Sequence, residues 1–335
     1  MMEYMIETHT AAELSADDAA NIQALADAAS RHDRVAPLAE QTLLRTRPVT
    51  EPDADVGEAN GAATTRFLLL RAAEQQQGTN GLAGVAFLEL ATETEASAEL
   101  VIHPELRGGG LGSQLLSALL AEASSAGSAH PRIWAHGQLP AAQALARSFD
   151  LDRIRGLLRM RMRLHNGSPL PLPEPKLAPE FAERLLIRTF VPGVDEQALL
   201  TTNRRAFADH PEQGGMQLAD LHQREAEEWF APEGFFLTED RETGEIAGFH
   251  WTKTHPDGAG LTPGEPVGEV YVVGVDPRWQ GTGLGRFLTL TGLRHLRDRG
   301  LAWVLLFVDE DNRPAVDLYG GLGFTLWDAD VMYQP

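Results

Sequence analysis

The chain has 335 residues, 43% hydrophobic and 23% charged, with a formal net charge of −20 and no cysteine. That is a globular composition with length enough for two domains. The acidity excludes sequence-independent nucleic-acid binding, which needs a basic surface to displace phosphate counterions, and the lack of cysteine excludes disulfides, thiolate metal sites and a cysteine acyl carrier.

In chain order, residues 16–30 carry apolar positions at helical spacing, and residues 51–65 are a polar loop. FLLLR (67–71), GVAFLEL (84–90) and AELVIH (98–103) predict three strands. A glycine run, a helix over 111–126, the strand RIWAH (132–136) and a strand near 157–164 complete a first half. Residues 165–181, with five prolines, predict a stiff extended linker. The second half repeats the order: LLIRTF (185–190), helices over 195–208 and 216–230, then GFFLTED, IAGFHWTK and GEVYVVGV as an antiparallel meander. A second glycine run follows, with a helix over 284–299, the strand WVLLFV (303–308), a short helix near Asn312 and a last strand from Phe324. No apolar run reaches about 18 residues and the first residues lack a basic-then-apolar layout, so a cytoplasmic protein is expected, with neither membrane nor nucleic acid among its partners.

IHPELRGGGLGS (102–113) and VDPRWQGTGLGR (275–286) match at a constant shift of 173 residues. One duplication of that period means two copies of a domain. The expected division is 1–165, a proline-rich linker over 166–180, and 181–335. Each glycine run joins a strand to a helix, which exposes unpaired backbone N–H groups and the positive end of a helix dipole, an arrangement that favours a phosphate. A plain turn explains one copy as well. A P-loop would require Gly-Lys-Ser/Thr, where this chain has Gly285-Arg286-Phe287, and a dinucleotide fold would place the run after the first strand of a parallel unit rather than after a meander.

Gln280-Gly-Thr-Gly283-Leu-Gly285 and Arg107-Gly-Gly-Gly110-Leu-Gly112 resemble the acyl-CoA pyrophosphate loop of the GNAT N-acetyltransferase superfamily, and NRPAVDLYGGLGF (312–324) resembles its second motif. The first half reads LPAAQALARSFDLDRI (139–154) at that place, without the asparagine or the Leu-Tyr, so it is expected to bind without catalysing. Across most of the chain, RVAPLAEQTL, AFADHPEQGG, GFHWTKTHPDG and GEVYVVGVDP are similar to the mycothiol synthase family.

The resemblance implies an α/β (α+β) fold of two tandem acyl-CoA N-acetyltransferase domains, with mixed, mainly antiparallel sheets flanked by helices. It implies transfer of an acetyl group from acetyl-CoA to the cysteinyl amine of a cysteine–glucosamine–inositol conjugate, the last step of mycothiol biosynthesis. The alternatives are a tandem N-acetyltransferase for another amine, such as an antibiotic or a protein N-terminus, and a non-catalytic acyl-CoA-binding module. A monomer without a metal is expected.

By the same resemblance, acetyl-CoA meets Val273, Gly274 and Val275, then Gln280, Gly281, Thr282, Gly283, Leu284, Gly285 and Arg286, and Asn312, Arg313, Pro314, Ala315, Val316 and Asp317. In the first half the matching set is Leu100, Val101 and Ile102 with Gly108, Gly109, Gly110, Leu111, Gly112 and Ser113. An attacking amine must be neutral and a leaving thiolate benefits from a proton. Glu269, four to six residues before the expected pantetheine contacts, is the candidate base, and Tyr319 the candidate acid. Glu40, Glu212, Lys253, Glu269 and Phe307 are the implied substrate contacts; taken singly, a strand glutamate or lysine is more often a solvated charge, and a tyrosine on a short helix a packing residue. Phe307 departs from the family pattern, which has a tyrosine there. Histidines 210, 250 and 255 make no metal set and read as structural.

Overall fold

A computed structural model describes residues 4–46, 64–72, 81–90, 95–258, 262 and 264–335. The polar stretch 51–65 therefore falls mostly outside the described residues. The chain forms two compact units, one of residues 1–158, 309–311 and 328–335, the other of residues 159–308 and 312–327.

The first unit runs β1 (Tyr4–Thr10), α1 (Ala16–Asp33), α2 (Glu40–Leu44), β2 (Thr64–Ala72), β3 (Leu82–Leu90), β4 (Ala96–Ile102), α3 (Leu111–Ser125), β5 (Arg132–Ala135) and α4 (Pro140–Ser148), and takes the first residues of β6 (Asp152–Arg163). β1 to β4 are antiparallel neighbours and β4 pairs with β5 in parallel. The sheet is covered on both faces, so FLLL of β2 is apolar without alternation. Phe67 and Leu69 pack with Ile22, Leu25, Ala26 and Ala29 of α1, while Leu68 and Leu70 pack with Leu111, Leu115, Leu116 and Leu119 of α3. Helix α1 starts at a capping box in which Ser15 accepts from the Asp18 N–H, and it stops where Arg34 turns left-handed at φ 60°.

The second unit runs α5 (Pro179–Ala182), β7 (Leu185–Thr189), α6 (Glu196–Ala206), α7 (Pro211–Gly214), α8 (Leu218–Glu225), β8 (Phe235–Asp240), β9 (Ile246–His255), β10 (Val267–Val275), α9 (Leu284–Asp298), β11 (Trp303–Asp309), α10 (Arg313–Leu322) and the start of β12 (Thr325–Gln334). Its order matches the first: β7 to β10 are antiparallel neighbours and β10 pairs with β11 in parallel. Leu284, Leu288, Leu290, Leu293 and Leu296 form the buried stripe of α9.

Three elements of the first unit, and the four-residue α5 and α7 of the second, are absent from the sequence expectations. β1 is an edge strand with mostly exposed side chains, so its apolar pattern is weak. α2 is only five residues long. α4 opens with Pro140 at its first turn and occupies the stretch matching α10. The helix expected over 216–230 is shorter, Leu218–Glu225.

The proline-rich residues 166–180 belong to the second unit. Proline offers carbonyls but no N–H, so an extended proline run needs only donors. Arg294 and Arg297 of α9 supply them, to the carbonyls of Leu170, Leu172 and Pro173, and Arg294 also pairs with Glu174 at 2.6 Å.

Candidate active site

The strand before the second glycine run carries an irregularity that places its backbone. Val270 faces Thr252 across the β9–β10 ladder, but Val272 faces Trp251, so Tyr271 is the extra residue of a β-bulge. On the other side the parallel ladder with β11 covers only Gly268, Glu269 and Val270. β10 continues to Val275 with β9 alone, so the backbone from Tyr271 to Val275 faces an open fork between β10 and β11. Extended backbone groups in such a fork need partners, and an extended amide-bearing ligand supplies them. Gly274 is required there, because a β-carbon would lie 2.5 Å from the Phe249 ring.

After Val275 the chain turns through Asp276, whose carboxylate accepts from the Arg278 N–H and side chain and from Arg205. These bonds, that of Arg278 first, hold its pKa down at about 2, so the turn is anchored by a permanent charge. The Gln280 side chain donates to the Val275 carbonyl at 3.4 Å, and Thr282 donates to the Trp279 carbonyl at 2.6 Å. Gly281 and Gly283 are left-handed, at φ 77° and 88°. Gly283 caps α9 without a side-chain acceptor, leaving the first N–H groups at Leu284, Gly285 and Arg286 to a ligand or water. A β-carbon added at Gly281 or Gly283 would meet nothing within 4 Å, so there is room above the loop for a bound group. The residues present therefore fit a diphosphate held by backbone donors at a helix start.

Glu269 lies just before the fork, buried to 5% exposure, and faces Lys253 across the β9–β10 ladder. Its Oε2 is 2.5 Å from Nε2 of His255. Lys253 is also buried, its ammonium 4.2 Å from the centre of the Trp229 ring and 5.1 Å from that of Tyr271, whose hydroxyl accepts from Arg224. Two of the expected substrate contacts, Lys253 and Glu269, are thus brought together on one pair of strands.

The structural reading of the histidines is corrected at His255. It bonds the candidate base, because residues 253 and 255 of one strand point to the same face, toward the glutamate of the next. That alternation, Lys-x-His beside a strand glutamate, was the available signal. His250 is structural: it is fully buried, its Nδ1 bonds the Leu288 carbonyl at 2.8 Å, and burial foremost pushes its pKa down to about 4. Gly292 is glycine because a β-carbon there would lie 2.2 Å from that ring. His210 sits edge-on to Phe207.

Helix α10 begins at Asn312, whose side chain accepts from the Ala315 N–H at 3.2 Å, and ends at Gly323, left-handed at φ 104°. Residues Arg313 to Asp317 make its first turn, and Tyr319 lies on its buried side with its ring edge-on to Phe324. Burial pushes the Tyr319 phenol up to about 12, so it holds its proton through the neutral range. Phe307, on β11, is 37% exposed, with the Arg159 guanidinium 5.3 Å from its ring centre. Glu40 opens α2 in the first unit and is half-buried. Glu212 lies in α7, and its side chain is outside the described residues.

The first unit has the same fork and loop. β4 pairs with β5 only over Ser97 to Glu99, leaving Leu100, Val101 and Ile102 beyond the parallel ladder. Gly108 and Gly110 are left-handed at φ 80° and 86°, and Gly110 caps α3 with no side-chain acceptor, ahead of Leu111, Gly112 and Ser113. Arg107 donates to the Ile102 carbonyl at 3.1 Å, as Gln280 does to Val275, and also makes a two-pronged pair with Asp33 at 2.7 Å. Two features differ: β4 has no bulge against β3, and the stretch matching the second motif is α4, without Asn or Tyr.

A strand fork beside a glycine-capped helix, present twice, defines an acyl-CoA-dependent acyltransferase with tandem domains. The model of the acetyltransferase (GNAT) family matches residues 39–150 and again 202–324. The chain is 55% identical over 335 residues to the mycothiol acetyltransferase of Thermobifida fusca, covering 99% of this chain and 98% of that one, and 52% identical to that of Nocardiopsis dassonvillei, covering 95% and 93%. A solved GCN5-related N-acetyltransferase from Sphaerobacter thermophilus shares the fold at a TM-score of 0.61, with 22% identity and 99% and 95% coverage. The chain belongs to the GNAT acetyltransferases and, within them, to the mycothiol acetyltransferase family.

Proposed function

We propose that this enzyme moves the acetyl group of acetyl-CoA to the cysteinyl amine of a cysteine–glucosamine–inositol conjugate, and that the reaction takes place in the second unit. The observation that carries the assignment is the joining, in that unit alone, of the bulged fork, the glycine-capped helix, a buried glutamate beside the fork and a tyrosine on α10. Relatives at 43–55% identity that carry the name mycothiol acetyltransferase support an acceptor from mycothiol biosynthesis.

In this reading the N–H groups of Gly281 to Arg286 hold the diphosphate, with Gln280 shaping the loop and the first turn of α10, Asn312 to Asp317, closing the cofactor's other side. The open backbone of Val273, Gly274 and Val275 pairs with the pantetheine arm and supplies an N–H to the developing oxyanion. Glu269 takes a proton from the cysteinyl ammonium and so frees the amine that attacks, Tyr319 gives its proton to the departing sulfur, and the proton that the nitrogen sheds on becoming an amide restores the Tyr319 phenol. Lys253 and Phe307 contact the acceptor. The first unit grips a second acyl-CoA through Leu100 to Ile102 and Gly108 to Ser113 without chemistry, for it lacks the bulge and the tyrosine. No helix among the described residues is long and apolar enough to cross a membrane, and a monomer working in the cytoplasm is the setting we favour.

The test is purified protein with acetyl-CoA and the cysteinyl conjugate, following free CoA thiol and product mass. One acetyl added per conjugate, on nitrogen, is expected. Thiol release without an acetylated conjugate, or no turnover, would overturn the acceptor assignment.

A further inference from the structure

Glu269 is a buried carboxylate on an otherwise apolar strand, flanked by Val267 and Val270 and level with Leu305 of β11. A carboxylate so placed is held in its charged form, and in one rotamer, only if donors meet it. Its described hydrogen-bond partner is His255, Nε2 to Oε2 at 2.5 Å. His255 stands at the end of β9, two residues beyond Lys253, its side chain 22% exposed against 6% for Glu269. Titratable groups beside the pair among the described residues include Lys253, on the same strand as His255 and level with Glu269, and Tyr271 on β10, tied to Arg224 of α8. Lys253 leans over the Trp229 and Tyr271 rings.

We infer that His255 is a positioning residue for the reaction: it donates its Nε2 proton to Oε2 of Glu269, fixes the carboxylate rotamer, and leaves Oε1 as the oxygen that accepts the acceptor's proton. The inference rests on Glu269 being the base. The ring does not itself exchange a proton with the acceptor; the N–H stays on nitrogen, and the proton taken from the ammonium resides on Oε1 until product leaves. The role needs an N–H at that distance and no more, so an amide side chain of similar reach is expected to substitute for the imidazole, and an apolar one is not.

The experiment compares His255→Leu, His255→Gln, Glu269→Gln and the Glu269→Gln/His255→Leu double variant in steady-state kinetics across pH. His255→Leu is expected to lower kcat by roughly 10–100-fold, the scale of a misplaced catalytic group, with KM for acetyl-CoA unchanged. His255→Gln is expected to stay within about 3-fold of the natural enzyme, because its amide N–H restores the donor. In the double variant the His255 change should add nothing to the Glu269 loss, as residues acting as one unit do. Should His255→Leu fail to fold, the His255→Gln profile and a cycle of His255→Gln with Glu269→Gln carry the same comparison. Equal losses in Leu and Gln variants, or additive losses in the double variant, would overturn the inference while leaving Glu269 as base. An unimpaired Glu269→Gln enzyme would instead overturn the functional reading on which it rests.

Discussion

Each unit places an acid and a histidine near the corresponding point of its own strands, with opposite consequences. In the second, Glu269 precedes the fork and, among the described residues, has the ring at the end of the neighbouring strand as its hydrogen-bond partner. In the first, Glu99 is the last residue paired with β5, and both of its oxygens are engaged: Oε1 with His136 at 3.0 Å, Oε2 with the Ala39 N–H at 3.0 Å. His136 also bonds Asp330, which in turn accepts from the Gly137 N–H at 2.7 Å. Burial alone would depress this imidazole, but the charge of Glu99 and the bonds to Asp330 and Glu99 push it up to about 10. A closed network of that kind ties strands together and has no oxygen left for a substrate. The duplicated scaffold thus gives a carboxylate held at both oxygens in one copy and one held by a histidine at Oε2 in the other.

The comparison is tested most severely by removing the two carboxylates. Glu269→Gln should lower kcat by about 100-fold or more, the range of a lost general base, with acetyl-CoA binding intact. Glu99→Gln should leave kcat within about 2-fold and instead lower the melting temperature, since it leaves a buried imidazolium with a partner missing. Turnover and thermal unfolding of the two variants decide the point; a kinetic loss in Glu99→Gln equal to that in Glu269→Gln would erase the distinction.

Tyr319→Phe removes the phenol and keeps the ring against Phe324. It is expected to reduce kcat by about 10–100-fold with little change in stability, as loss of an acid that serves only the leaving group would. Presteady-state release of CoA thiol measures it. The matching place in the first unit has no hydroxyl to remove.

The loops give the next contrast. A β-carbon at Gly283 or Gly110 forces a left-handed residue, an expense of about 1 kcal/mol, and adds bulk where a diphosphate would lie. Gly283→Ala is expected to raise KM for acetyl-CoA by about 10-fold, and Gly110→Ala to leave it unchanged. Calorimetric titration of each variant with CoA reads both sites.

The smallest effect separates the units by pH. An unfolded histidine titrates near 6.5. His136 is raised to about 10, so between pH 6.5 and 10 the folded state holds the extra proton, and stability from the first unit falls as pH rises through that window. His250 is depressed to about 4, so between pH 6.5 and 4 the unfolded state binds the extra proton, and stability from the second unit falls as pH drops. Melting curves across pH should show His136→Gln flattening the alkaline limb and His250→Gln the acid limb, at about 2–4 °C for each kcal/mol.

Much of this was legible in the chain. The shift of 173 residues, the strand order and the glycine loops follow from local rules: β-branched runs, turn residues, and glycines that accept φ above zero. Glu269 and Tyr319 stood out by their place in motifs. The strand β1 and the helices α2 and α4 did not, being short or exposed at an edge, where neither period develops strongly.

The sequence by itself determined two copies of one fold and a glycine loop in each, because both are written in short contiguous stretches. Only the tertiary structure decided that Tyr271 is a bulge, that the β10–β11 ladder stops at Val270, that His255 meets Glu269, and that Glu99 is locked by the Ala39 N–H and by His136, whose ring Asp330 holds in turn. Each depends on which strand lies beside which and in what register, and register is set by the burial of whole faces rather than by any one segment.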